Sequence, residues 1–237
     1  MRNILITRDY NRCSKLGQLL ESQGFNCFYQ PLFKVEKKSH SVISNNQNHI
    51  AIITSLNACQ TLLDINFDLK NTIFAIGNQT AQELQRLGFK NIIISPQNSA
   101  SSLKETIIKA NLDKTQNILY LHGPRITLDF GQELSKLGFK VQNILAYDLK
   151  ELNNFNSDIL QFCNNKKLDF ILIFSQNSAK IFKKLAIKHN MLEYFIDLKI
   201  LCFSTKILKE VENLGFKNCA SFSQLPILQK FYDQNFK

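Results

Sequence analysis

Side chains that could do chemistry lie where predicted strands run into helices. They are Thr7-Arg8, Thr54-Ser55-Leu56-Asn57, Gly77-Asn78-Gln79-Thr80, His122-Gly123-Pro124-Arg125 and Ser175-Gln176-Asn177-Ser178. These are hydroxyls, amides and glycines, with few titratable groups. In parallel α/β sheets, helix N-termini present free amides at the carboxyl ends of the strands. Such residues suit hydrogen bonding to carboxylates or phosphates, and they suit proton transfer poorly.

The usual catalytic motifs are missing from the sequence. It contains no G-x-G-x-x-G, G-x-x-x-x-G-K-[ST], G-x-S-x-G or H-E-x-x-H. His122 is the one histidine expected at a strand end, where it could contact a ligand or be an ordinary loop residue. Two Ser-x-Asn pairs, at Ser55/Asn57 and Ser175/Asn177, could be helix N-caps or could face a ligand. Both interpretations stay open at this point.

Four amphipathic helical segments each end in Gly-Phe and are followed by an apolar run. The four pairs are Gly24-Phe25, Gly88-Phe89, Gly138-Phe139 and Gly215-Phe216. Glycine just beyond a helix commonly takes a left-handed conformation. The pattern therefore predicts four helix-to-strand junctions of an α/β fold. A further helix is predicted near Ser101–Lys109, with Ser101 as its cap.

The chain is also internally duplicated. Seven residues between Ile4 and Phe25 recur 114 positions later, and Ile53, Ser55 and Asn57 recur 120 positions later. The segment from Leu87 to Asn91 recurs unchanged 127 positions later. Three units in one order, A-B-C-A′-B′-C′, indicate duplication rather than chance. Strands that alternate with helices predict parallel sheets. The predicted fold class is therefore α/β, with two flavodoxin-like or Rossmann-like domains.

Composition excludes several classes of protein. Of 237 residues, 44% are hydrophobic and 20% charged, which is typical of a globular chain, and no apolar run approaches a membrane span. The strand-like segment begins directly after Met1-Arg2-Asn3, so we expect no signal peptide, no membrane association and a cytoplasmic location. The six cysteines are scattered, which predicts reduced thiols and no metal site.

The net charge of +10 suggests an anionic partner, although a lysine-rich composition could produce it unaided. Only 5 of the 29 basic residues are arginine. Because specific readers of bases and phosphates favour the bidentate guanidinium, this shortage argues against a nucleic-acid partner. Attraction to an acidic small molecule and weak polyanion binding are the two remaining functional interpretations.

Taken in order, these segments resemble those of the uroporphyrinogen-III synthase family. The matching segments are Thr7-Arg8, Thr54 to Ala58, Ile76-Gly77 to Gly88, His122-Gly123, Ala146-Tyr147 and Ser175 to Ala179. Two positions depart from the family pattern. His122 stands in place of an arginine, and Ser204-Thr205-Lys206-Ile207 replaces a Gly-Pro-x-Thr turn.

The resemblance implies two domains joined by two strands. Residues 1–34 would join residues 152–237 in one discontinuous domain, and residues 38–146 would form the other. The linker strands, about 32–38 and 145–151, alternate apolar and charged residues. Phe33 and Tyr147 occupy equivalent linker positions under the shift of 114.

The resemblance also implies a reaction, the dehydration and cyclisation of hydroxymethylbilane to uroporphyrinogen III with inversion of ring D. This haem-pathway reaction needs no cofactor. The enzyme would be a monomer that makes at most a transient contact with the bilane-producing enzyme.

The implied substrate-binding residues are Thr7, Arg8, Ser55, Asn57, Gly77, Asn78, Thr80, His122, Gly123, Ser175, Asn177, Ser178, Ser204 and Thr205. Tyr147 is the candidate general acid, because a phenol with a pKa of about 10 is protonated at neutral pH. The alternative is a non-enzymatic, cleft-type binding protein for an anionic metabolite.

Overall fold

The computed structural model describes residues 2–43, 49–165 and 167–222. Met1, residues 44–48, Lys166 and residues 223–237 belong to the predicted domains but lie outside the described residues. In chain order, the strands are β1 (Arg2–Ile6), β2 (Phe25–Tyr29), β3 (Phe33–Lys37), β4 (Ile50–Ile53), β5 (Ile73–Ala75), β6 (Ile92–Ile94), β7 (Asn117–His122), β8 (Lys140–Leu145), β9 (Tyr147–Glu151), β10 (Phe170–Ile173), β11 (Lys199–Cys202) and β12 (Cys219–Ser221).

Helices connect these strands at almost every crossover. They are α1 (Tyr10–Ser22), α2 (Cys59–Asp64), α3 (Asn78–Arg86), α4 (Ala100–Lys109), α5 (Phe130–Ser135), α6 (Ser157–Asn164), α7 (Gln176–Lys188), α8 (Leu192–Ile196) and α9 (Thr205–Asn213). A 3₁₀ turn, Leu56–Ala58, precedes α2. The helix predicted near Ser101–Lys109 is present as α4, and the four predicted helix-to-strand junctions are present between α1 and β2, α3 and β6, α5 and β8, and α9 and β12.

The chain divides into two compact units. Unit 1 consists of Met1–Lys34 and Glu151–Lys237, and unit 2 of Val35–Lys150. The described strands of unit 1 form a five-stranded sheet in the order β12-β11-β10-β1-β2, and those of unit 2 form another in the order β6-β5-β4-β7-β8. All neighbours within each sheet run parallel. Under the sequence repeat, the two orders are the same, which confirms the predicted duplicated α/β fold.

Each sheet is covered by helices on both faces. In unit 1, Ile4 and Ile6 of β1 pack with α1 on one face, whereas Leu5 packs with α6 and α7 on the other. In unit 2, Ile53 of β4 packs with α2 and α3, whereas Ile52 packs with α4 and α5. Burial on both faces explains why the central strands read as continuous apolar runs. The chain changes face between β4 and β7 in unit 2, and between β10 and β1 in unit 1.

The local signals at the helix ends are mostly confirmed. The four glycines of the Gly-Phe pairs have φ between +80° and +96°, in the left-handed region predicted for them. The cap predicted at Ser101 is wrong, because α4 begins at Ala100 and Ser99 accepts the hydrogen bond from the Ser102 amide. Serine is a suitable cap at either position, and the observed cap lies two residues before the predicted one.

The predicted linker segments form a separate two-stranded sheet of β3 and β9. Backbone hydrogen bonds from Leu152 to Leu32 and from Lys38 to Ala146 lie at its two ends. Ion pairs join Lys38 to Asp148 and Lys150 to Glu36 across its exposed surface. Among the described helices, none is long and apolar enough to cross a membrane.

Candidate functional site

The carboxyl ends of β4 and β7 lie side by side at the position in unit 2 where the chain changes face. Ile53 pairs with Leu121, so Thr54-Ser55 and His122-Gly123 follow neighbouring strands. Ligands of open α/β sheets bind at this kind of position. The sequence-predicted residues Ser55, His122, Gly123 and Tyr147 all meet here, and we call this group the switch-point cluster.

A hydrogen bond between two hydroxyls lies at the centre of the switch-point cluster. The oxygens of Ser55 and Tyr147 are 2.9 Å apart, and either hydroxyl could donate. Ser55 is also the N-cap of the 3₁₀ turn, where its Oγ accepts from the Asn57 amide at 3.3 Å. Because that bond uses a lone pair, the Ser55 proton remains available to donate to Tyr147. The Tyr147 proton would then be available to a ligand.

The backbone around Tyr147 holds the phenol against Gly123. The Ala146 amide donates to the His122 carbonyl at 2.8 Å, which fixes the entry into β9. A Cβ atom at Gly123 would overlap the ring carbon and the oxygen of the Tyr147 phenol. The glycine is therefore needed for close approach, and Tyr147 itself is only 8% exposed. The Tyr147 phenol is thus held in one position, by the backbone hydrogen bond that precedes it and by the close approach of Gly123 to its ring.

A second phenol lies behind the first. Tyr120, in β7, is buried, hydrogen-bonds to the Thr54 side chain and lies 3.4 Å from the Leu128 carbonyl. Burial raises the pKa of Tyr120, and the nearby Tyr147 raises it further. The rings of Tyr120 and His122 are 4.8 Å apart. His122 Nδ1 is 2.7 Å from the Gly123 carbonyl, which accepts only, so this nitrogen carries a proton.

The remaining predicted residues of unit 2 follow the neighbouring strand β5. Gly77 is the N-cap residue of α3, and a Cβ atom there would lie 2.7 Å from the Asn98 Oδ1. Asn78 is exposed in the first turn of this helix, whereas Thr80 is buried. The N-terminus of α3 thus lies one strand away from the switch-point cluster.

In unit 1, the predicted residues occupy the equivalent ends of β10 and β1. Thr7 is buried, and its hydroxyl donates to the Leu172 carbonyl at 2.6 Å. Ser175 caps α7 by accepting from the Ser178 amide at 3.0 Å, and the two hydroxyls are 2.7 Å apart. Asn177 is half-buried in the first turn of the same helix.

Two further predicted residues of unit 1 begin α9. Ser204 is the N-cap, with its hydroxyl accepting from the Ile207 amide at 3.4 Å, and Thr205 is exposed. The N-cap interpretation that the sequence left open is thus confirmed for Ser55 and Ser175, and it holds for Ser204. A capping oxygen retains its proton, so capping does not remove these serines from ligand binding.

Sequence reasoning missed Tyr120, Asn98 and Phe174, whose ring lies beside the predicted Arg8. Tyr120 carried a weak signal, because it is a polar aromatic two residues before His122 on one face of an apolar strand. Elsewhere in the described part of the chain, no group of three or more His, Cys, Asp and Glu side chains could hold a metal ion.

Fold and site together define a duplicated, doubly wound α/β protein with hydroxyl and amide donors at the carboxyl ends of its strands. The sequence model of the uroporphyrinogen-III synthase family, HemD, matches residues 14–224. The chain therefore belongs to the uroporphyrinogen-III synthase family.

Individual relatives are distant. The uncharacterized protein RP474 of Rickettsia prowazekii is 25% identical, and the match covers 98% of each chain. The crystal structure of uroporphyrinogen-III synthetase from Helicobacter pylori is 16% identical, with a TM-score of 0.60 over 99% of each chain. A mutant uroporphyrinogen III synthase from Thermus thermophilus is 14% identical, with a TM-score of 0.48 over 98% of each chain. At these identities, the Helicobacter structure supports the fold.

Proposed function

We propose that this protein is a uroporphyrinogen-III synthase, which removes water from hydroxymethylbilane and closes the ring with inversion of ring D. The observation that supports the proposal most directly is the Ser55–Tyr147 hydrogen bond at the switch point of unit 2. Family membership over residues 14–224 supports it independently.

The reaction needs a proton donor at one carbon–oxygen bond. Electrons from the pyrrole nitrogen expel the terminal hydroxyl of the bilane, and the departing oxygen takes a proton to leave as water. We assign Tyr147 as the donor, with Ser55 donating in turn to the phenol oxygen. The substituted carbon of ring D attacks the resulting azafulvene and forms a spiro intermediate. The original bond from that carbon to the methylene of ring C then breaks, which leaves an azafulvene on ring C. The free α-carbon of ring D attacks this second azafulvene, so that the macrocycle closes with ring D inverted. The proton lost when the rings regain aromaticity returns to solvent, and solvent reprotonates Tyr147.

Apart from donating a proton, the protein must position the substrate. A linear tetrapyrrole is flexible, and holding it so that the correct carbon attacks supplies a large part of the barrier reduction. We assign Gly77, Asn78, Thr80, His122 and Gly123 to this task in unit 2, and the donors around Ser175 in unit 1. Since the pyrroles supply the electrons, this mechanism needs no resident cofactor.

A coupled assay tests the proposed function. Purified protein is incubated with a bilane-producing enzyme and its substrate, the products are oxidised to porphyrins, and the type I and type III isomers are separated chromatographically. We expect type III to predominate, and an incubation without the protein gives the spontaneous type I background. If only type I forms, the protein does not catalyse this reaction, and the binding-protein alternative takes its place.

A further inference from the structure

The strand ends of unit 1 carry a row of aromatic rings that unit 2 lacks. Phe174 follows β10, Phe203 follows β11 and Phe222 follows β12. The centroids of Phe174 and Phe203 are 5.4 Å apart, and those of Phe203 and Phe222 are 5.1 Å apart. Under the repeat, Thr54 of unit 2 stands at the position of Phe174. The aromatic row is therefore a property of one unit and not of the duplicated scaffold.

Arg8 lies over the first ring of this row. It follows β1, the strand beside β10, and its guanidinium carbon is 5.3 Å from the Phe174 centroid. A ring face attracts a guanidinium and restrains its plane, but leaves the N–H edges available to other acceptors. Phe174 thus fixes the orientation of Arg8 without consuming its hydrogen-bond donors.

Among the ion pairs of the described residues, none involves Arg8. The side chain is half-buried, and burial is the main reason that its pKa lies below the usual arginine value. The nearby Cys13 raises this pKa, and the nearby Arg12 lowers it. A half-buried cation is costly unless an anion joins it.

We infer that Arg8, held by Phe174, is a carboxylate-binding subsite of unit 1 that binds an acidic side chain of the tetrapyrrole. The identity of the ligand rests on the proposed function, whereas the carboxylate chemistry rests on the geometry. A planar guanidinium can bind a carboxylate through two parallel N–H···O bonds, and such pairs are stronger than neutral hydrogen bonds. Phe174 acts as a positioning residue, since it works through Arg8.

Equilibrium binding of uroporphyrin III, a fluorescent tetrapyrrole with eight carboxylates, tests the subsite without requiring catalysis. Titration of the porphyrin with wild-type protein gives a Kd. We expect Arg8→Gln to raise this Kd roughly tenfold, as loss of one charge-assisted pair implies. Phe174→Leu should raise it about threefold, because Arg8 keeps its charge but loses its fixed plane. Arg8→Lys should not restore the wild-type Kd, since an ammonium lacks the planar fork.

Arg86 provides the matched control. It is an exposed arginine on α3 that pairs with Glu83 at 2.6 Å, so Arg86→Gln changes net charge equally and should leave the Kd unchanged. A wild-type Kd in Arg8→Gln, or full restoration by Arg8→Lys, overturns the subsite. Circular dichroism and thermal melting of each variant separate loss of binding from loss of folding. The proposed function fails separately, if wild-type protein yields no type III isomer while the porphyrin still binds through Arg8.

Discussion

Units 1 and 2 share one strand order but differ in the side chains at their switch points. Both retain the capping serine, Ser55 in unit 2 and Ser175 in unit 1. The linker aromatic, however, is Tyr147 in unit 2 and Phe33 in unit 1. The two units thus share the serine at these two helical starts, whereas residues that we propose to face a ligand differ between them.

The divergence separates two kinds of chemistry. His122 in unit 2 corresponds to Arg8 in unit 1, and Thr54 corresponds to Phe174. Unit 2 therefore has linked hydroxyls, which can donate a proton, and unit 1 has a guanidinium on a ring, which can hold a charge. We infer that proton donation belongs to unit 2 and carboxylate binding to unit 1.

The largest expected effect on kcat comes from substituting the linker aromatic of unit 2. Tyr147→Phe removes the proposed donor and keeps the ring, so we expect kcat for type III formation to fall roughly 100-fold, the lower end of general-acid contributions. The melting temperature should change little, because the ring still packs against Gly123. Phe33→Tyr in unit 1 is the matched control and should leave kcat close to wild type. Equal activity in wild type and Tyr147→Phe would remove Tyr147 from the mechanism.

Gly123→Ala tests the same donor by displacement. Its Cβ would overlap the phenol, so the hydroxyl must move away from Ser55. We expect kcat to fall at least tenfold, the scale typical of a misplaced catalytic group. In a Tyr147→Phe background, the glycine substitution should add little further loss of kcat. Full additivity of the two losses would show that Gly123 acts independently of the phenol.

The two capping serines allow a comparison in which the expected effect on kcat is smaller but differs between two otherwise similar substitutions. Ser55→Ala and Ser175→Ala each remove an N-cap, which costs about 1 kcal/mol of unfolding free energy. Only Ser55 also contacts a phenol, so Ser55→Ala should lower kcat by up to roughly tenfold, or about 1.4 kcal/mol. Ser175→Ala should act mainly on KM.

A double-mutant cycle separates positioning from simple destabilisation. If Ser55 acts through Tyr147, then Ser55→Ala should not lower kcat further in a Tyr147→Phe background. Ser55→Thr, which keeps the hydroxyl, should restore most of the activity. Additive losses of kcat would instead assign Ser55 a separate role, such as direct contact with the substrate.

The sequence was sufficient for the fold because its signals were local and repeated. The Gly-Phe pairs required left-handed glycines, and the three ordered repeats required two similar sheets. The site was less predictable, since its important contacts join residues far apart in the chain. Nothing near Ser55 indicates that Tyr147 lies 2.9 Å away, and nothing near Arg8 indicates Phe174. The order of the strands in each sheet brings these residues together. Among the signals in the sequence, only the repeat could have suggested which residues are in contact.

The smallest expected effect concerns the thiols, which are distributed unevenly. Unit 1 contains Cys13, Cys27, Cys163, Cys202 and Cys219, whereas unit 2 contains only Cys59. Burial raises the pKa of all six from about 9, to about 11 in Cys13, Cys27 and Cys219 and to about 12 in the others. Between pH 9 and 11, unfolded thiols therefore lose protons that folded ones keep, so stability should fall as pH rises through this window.

We expect this alkaline loss to act mainly on unit 1, which holds most of the thiols. Chemical denaturation at pH 8, 9 and 10 should show a declining midpoint, and Cys163→Ala should make the decline slightly shallower by removing one contributor. In mass-spectrometric alkylation over the same pH series, Cys13, Cys27 and Cys219 of unit 1, with pKa values of about 11, should react before Cys59, whose pKa is about 12. Because a buried thiol with a pKa of about 11 is only about one-thousandth thiolate at pH 8, all six should react slowly there. Alkylation of Cys59 ahead of the unit 1 cysteines would show that the alkaline weakness lies in unit 2 instead.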